Sequence, residues 1–175
     1  MGGHPTYEGQ SMEQLTNLVV SEGELTNIAR VLGRLALDTG ASYTILLDKS
    51  GQLITSQGQQ GQRDLTALGA LMAGAFSSSR QVAEILGESD FRTILQQGVQ
   101  ESILSNLIGD QWLLVVVFDK QTHVGLVKVL ARKACDELER VLDRVRHGGA
   151  QARQQVVNVQ FRSEVANTID SLFQD

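Results

Sequence analysis

Cys135 and the three histidines, His4, His123 and His147, are the side chains of this chain with the richest intrinsic chemistry. A zinc site would need such residues at short paired spacings, and a nucleophilic site would need the thiol beside a base. They are scattered instead, so no metal site and no catalytic thiol is expected. Cys135 falls on the apolar side of a helical segment and reads as a small core residue. His123 stands at the start of that segment, where capping or solvent contact explains it. Asp136, Glu137, Glu139 and Asp143 could pair for acid–base work, but they alternate with Arg132, Lys133, Arg140 and Arg144. Helix-surface ion pairs at i, i+4 account for that pattern. A phosphate loop of the GxxxxGK[ST] type is missing, so the chain is not expected to hydrolyse a nucleotide itself. No enzyme active site and no cofactor is expected.

Two other features invite a function, and both are surfaces. Ala70, Ala73 and Ser77 recur at helical spacing on the side opposite large apolar residues, within a run that also holds Gly69, Gly74, Ala75, Ser78 and Ser79. Small side chains let another backbone approach closely; a tightly packed internal helix is the competing explanation. Near the end of the chain, Val165, Ile169, Leu172 and Phe173 share one helical face beyond a polar stretch. An amphipathic segment of that kind can dock in a partner's groove, or it can fold back on its own domain.

The elements that must position these surfaces follow from periodicity. Apolar residues at Leu25, Ile28, Val31, Leu32 and Leu35 mark a first helix ending near Gly40. Tyr43–Leu47 and Gln52–Thr55 flank Asp48-Lys49-Ser50-Gly51, which predicts a β-hairpin. Gly58 and Gly61 fall in a polar loop. Asp64 or Thr66 can cap a second helix that Gly87 stops near Leu86, with large apolar residues at Leu65, Leu68, Met72, Phe76, Val82 and Leu86. Phe91–Leu95, Ser102–Ile108 and Trp112–Phe118 read as strands, with turns at Gln97-Gly98 and a tight two-residue turn at Gly109-Asp110. Val124, Val127, Ala131, Ala134, Leu138, Val141 and Val145 trace a long last helix.

The order is α-β-β-α-β-β-β-α. Trp112–Phe118 is apolar at every position, so both faces of that strand should be covered. The predicted fold class is therefore α/β, a three-layer sandwich with a five-stranded antiparallel sheet. The first and last helices share one face and the small-residue helix takes the other. The expected divisions are an N-terminal tail at 1–22, a domain at 23–147, a linker at 148–162 and an amphipathic helix at 163–175.

Bulk composition narrows the partners. A length of 175 residues suits one domain with tails, and 42% hydrophobic with 20% charged residues suits a globular chain. The net charge of −5 argues against nucleic acid, whose phosphates need a concentrated basic surface. The longest apolar run is far short of the ~20 residues that span a bilayer, and the first residues lack a signal-peptide pattern. The expectation is a cytoplasmic protein without membrane insertion or an internal disulfide.

Leu46-Leu47-Asp48-Lys49-Ser50-Gly51-Gln52-Leu53-Ile54 resembles the signature hairpin of the roadblock (dynein light chain) family. Val115-Val116-Val117-Phe118-Asp119, followed by Gly125-Leu126-Val127, resembles that family's central strand and last helix, and the element order agrees over roughly 24–147. Within the family, Leu86–Phe91, Lys133–Leu138 and Ile169–Phe173 are similar to the MglB-type bacterial regulators of the Ras-like GTPase MglA. The tail and linker depart from that pattern. The resemblance implies a homodimer built on the second helices and neighbouring edge strands. It also implies activation of a small Ras-like GTPase without an arginine finger. The first contact would fall on Ala70, Ala73, Gly74, Ser77, Ser78 and Gln81, and a second on Val165, Ile169, Leu172 and Phe173. The alternative is a non-catalytic dimeric adaptor of the dynein-light-chain kind. A small-molecule sensor has less in its favour, because nothing convergent and polar marks a pocket.

Overall fold

Asp48 and Gly51 close the first hairpin by a division of labour. Asp48 Oδ1 accepts from the Ser50 and Gln52 backbone N–H groups at 2.8 and 2.9 Å, and Gly51 takes the positive φ of 90° that the turn requires. In the computed structural model, which describes residues 20–59 and 61–147, this hairpin joins β1 (Tyr43–Asp48) to β2 (Leu53–Gly58). Before it comes α1 (Glu22–Thr39), and after it α2 (Leu65–Leu86). Then follow β3 (Thr93–Gln97), β4 (Glu101–Ile108), β5 (Trp112–Asp119) and a last helix, α3, over 124–147. No helix among the described residues is long and apolar enough to cross a membrane. Glu22–Leu142 form one compact unit. The other unit, Met1–Ser21 with Asp143–Asp175, is described only at 20–21 and over the helical residues 143–147.

The sheet is antiparallel throughout, in the order β2-β1-β5-β4-β3. β5 lies at its centre and is buried from Trp112 to Phe118, as its unbroken apolar run requires. Tyr43, Ile45, Leu47, Leu113, Val115 and Val117 face Met72 and Phe76 of α2. On the opposite face, Thr44 Oγ1 donates to Leu32 O of α1 at 3.1 Å, and Arg34 of α1 pairs with Glu137 of α3. The three layers are thus α1 and α3, the sheet, and α2.

Local expectations shift in four places. β2 extends through Gly58, so that glycine belongs to a strand and not to the loop. β3 starts at Thr93 rather than Phe91. The β4–β5 turn has three residues, because Ile108 pairs with Trp112 across Gly109, Asp110 and Gln111. The acidic cluster of α3 contributes its ion pair between helices, Glu137 to Arg34, and among the described residues not at i, i+4.

Two polar groups inside the sheet lack hydrogen-bond partners among the described residues: Ser105 Oγ and Asn106 Oδ1. A buried acceptor left unpaired costs on the order of 1–3 kcal/mol. Thr39, by contrast, returns its hydroxyl to Leu35 O at 2.6 Å.

The seating of α2 depends on two glycines. A Cβ on Gly69 would stand 2.4 Å from Gly51 O, and one on Gly51 would stand 2.6 Å from Gly69 O. Helix backbone and turn backbone touch there without an intervening side chain. Gly69→Ala should therefore destabilise the protein by roughly 1–3 kcal/mol, since overpacking outweighs the better helix propensity of alanine. Gly74 has open space around its Cα, so Gly74→Ala in the same helix should stabilise by up to about 1 kcal/mol. Denaturant unfolding of the two variants checks this; equal shifts of the same sign would remove the close-contact account.

Candidate partner-binding face

α2 is sharply bounded. Asp64 Oδ1 accepts from Ala67 N–H at 2.9 Å at its start. At its end Gly87 adopts φ 73°, and the N–H groups of Gly87 and Glu88 bond to Glu84 O and Ala83 O. At about 100° per residue, the inward line runs through Leu65, Gly69, Met72, Phe76 and Ala83.

The expected contact residues lie on the far side of that line. Ala70, Gly74, Ser77, Ser78 and Gln81 are exposed and Ala73 is half-buried. None carries a charge, and Ser78 Oγ is occupied by Gly74 O at 3.0 Å. The result is a low, neutral strip. Gly69, by contrast, belongs to the interior.

Beside the strip runs a feature that periodicity misplaces. Leu71 is 72% exposed, Val82 49%, Ile85 83% and Leu86 65%. Val82 and Leu86 are thus not part of the buried side expected for them. Val82 is rotated away from the Met72–Phe76–Ala83 line, Leu86 is the last residue of the helix, and only Ala83 is buried in the last two turns. Leu71 and Ile85 are legible in the sequence as off-phase apolar residues, since both fall outside the spacing of the large core positions.

Val165, Ile169, Leu172 and Phe173 lie outside the described residues, as do the linker and most of the N-terminal tail. Two arginines stand near α2. Arg80 leans toward Asp90, with Nη2 3.7 Å from Oδ2. Arg63 donates to Tyr43 Oη at 3.1 Å and Glu101 Oε1 at 2.9 Å, and these bonds raise its pKa further. Among the described residues, no group of three His, Cys, Asp or Glu side chains is placed to hold a metal ion.

Residues 27–118 match the Roadblock/LC7 domain family. Among solved structures, MglB of Myxococcus xanthus superposes with a TM-score of 0.69 at 38% identity, covering 73% of this chain and 96% of that one. The gliding protein MglB of Thermus thermophilus gives a TM-score of 0.69 at 28% identity over the same shares. An uncharacterised protein of Methanocaldococcus jannaschii is 27% identical over 112 residues, which is 64% of this chain and 93% of that protein.

The thiol of Cys135 is muted by its surroundings. Burial pushes its pKa up to about 12, the Asp136 and Glu139 carboxylates reinforce the shift, and Arg92 opposes it. At pH 8 the folded protein should react with iodoacetamide on the order of a thousandfold more slowly than a free cysteine, because the thiolate is the reacting form. Unfolding in urea should restore the ordinary rate. A folded-state rate within tenfold of the free thiol would contradict the raised pKa of this half-buried thiol.

Proposed function

The chain belongs to the Roadblock/LC7 domain family, and we propose that it is a homodimeric activator of a small Ras-like GTPase of the MglA type. The observation that carries this reading is the outward face of α2, where a neutral strip of small side chains lies beside an exposed apolar stripe. A partner can bring its backbone close to Ala70, Gly74 and Ser77, because no long side chain stands in the way. The likeness to MglB supports the same reading, and with it a role in the control of cell polarity and motility. Such a regulator acts in the cytoplasm beside its GTPase and has no active site of its own.

Dimerisation follows from what the single chain leaves uncovered. Burying a large aliphatic side chain is worth about 1.5–3 kcal/mol, and Leu71, Val82 and Ile85 hold theirs in solvent. β3 is an edge strand of five residues with unpaired backbone on one side. A second copy covering both leaves the small-residue strips of the two helices free for the GTPase. Arg80 engages Asp90 and lies nearer the core side of α2, which supports activation by ordering the GTPase's own residues and not by an inserted guanidinium. The segment 163–175 adds a second, tethered contact through Val165, Ile169, Leu172 and Phe173.

The decisive measurement is GTP turnover by an MglA-type GTPase of the same organism, with and without the full chain. The chain should accelerate turnover, and Ser77→Arg should abolish the acceleration while leaving the dimer intact. Deletion of 163–175 should weaken it. Arg80→Ala should change it only a few-fold, whereas a true finger is worth ~10³–10⁵. Unchanged turnover with the wild-type chain leaves an adaptor role, and a loss of that size in Arg80→Ala makes Arg80 the finger. Light scattering tests the dimer separately: the wild type should show twice the chain mass, and Leu71→Asp/Ile85→Asp should show the monomer mass.

A further inference from the structure

The sequence shows nothing convergent and polar, but the fold brings together a set of residues that the α2 face does not use. On the sheet face opposite α2, a groove runs between α3 and the β3–β4 hairpin. A cavity of about 650 Å³ opens there, with Leu104, Asn106 and Ile108 of β4 as its floor and α3 as its wall. Its size is that of an ordinary small-ligand site, for which roughly 300–1,000 Å³ is usual.

We propose that this groove between α3 and the β3–β4 hairpin binds a small organic anion with an apolar body and a hydrogen-bond donor. The donor requirement comes from Asn106. It is only 8% exposed, it lines the groove between two apolar neighbours, and its Oδ1 has no partner among the described residues. A buried amide oxygen without a partner between the apolar Leu104 and Ile108 calls for a group that satisfies it. A ligand seated on this floor supplies one after a rotation about the soft terminal torsion of the amide.

The charge requirement comes from α3. Lys128 and Arg132 stand one helical turn apart on the groove wall, with Lys133 adjacent, and none is in an ion pair among the described residues. The two carboxylates of the lining, Asp136 and Glu139, lie farther along the helix. The cations therefore prevail over 128–133 of α3. Val129, 57% exposed on the same helix, offers apolar surface to the body of the ligand, over a floor whose Leu104 and Ile108 are buried. The enclosed amide and the cavity size favour a small molecule over a protein segment.

The probe is 1-anilinonaphthalene-8-sulfonate, which combines a sulfonate, an anilino N–H and an aromatic body. Its fluorescence is titrated against the full chain, against Lys128→Glu/Arg132→Glu and against Asn106→Leu. Circular dichroism confirms that each variant is folded. One saturable site per chain is expected, weakened roughly tenfold or more by the charge reversal and at least about threefold by Asn106→Leu. Non-saturable binding, or wild-type affinity in either variant, would overturn the proposal.

Discussion

The contact between Gly51 and Gly69 sets the geometry on which the rest of this fold depends. With no Cβ on either residue, the turn of the first hairpin and the first half of α2 meet backbone to backbone. That contact fixes how deeply the helix sits and which way it is rotated about its axis. Met72 and Phe76 then follow one and two turns later onto Ile45, Leu47 and Val115. Rotation in turn decides what points outward. Ala70, Gly74, Ser77 and Gln81 become surface because Gly69, Met72 and Phe76 do not.

On the other side of the sheet the packing is conventional and the polar details are not. Ile28, Leu32, Val127, Ala131 and Leu138 are buried there with Leu46, Leu114, Val116 and Phe118. Thr44 is tolerated because α1 offers it the Leu32 carbonyl. Asn106 Oδ1 receives no such offer among the described residues, and Asn106 lines the groove beside α3. A buried acceptor left unpaired is a cost to folding at that point.

Much of the architecture was legible because it is written in local rules. Asp48 and Gly51 specify a turn, Asp64 and Gly87 bound a helix, and an unbroken apolar run from Trp112 to Phe118 demands cover on two faces. What escaped were relations between elements. Gly69 reads as one more small residue in a run of them, because spacing reports the phase of a helix and not its distance from a hairpin earlier in the chain. Val82 and Leu86 were misplaced because residue type suggests burial, while the rotation set by Gly69 and Phe76 turns Val82 to solvent and Leu86 ends the helix. The Arg34–Glu137 pair and the α3 groove join residues far apart in the chain, which no window on the sequence spans.

The composition of α2 is poorly matched to a free-standing helix, and the mismatch divides in two. Gly costs about 1 kcal/mol relative to Ala in a helix interior, and Ser costs roughly half of that. For Gly69 the close contact with Gly51 offsets the penalty, since any larger residue would push the helix off the sheet. Gly74, Ser77 and Ser78 have no such account within one chain: their surroundings are open and alanine would fit. Ser78 even returns its hydroxyl to the helix backbone, a bond that competes with helical order. Folding explains the inward glycine, while the outward glycine and serines suit the close approach of the proposed partner. The neighbouring Leu71 and Ile85 lead to the same place from the opposite direction, because they expose apolar surface that a monomer gains nothing by exposing. Both halves of the outward face fit the proposed association.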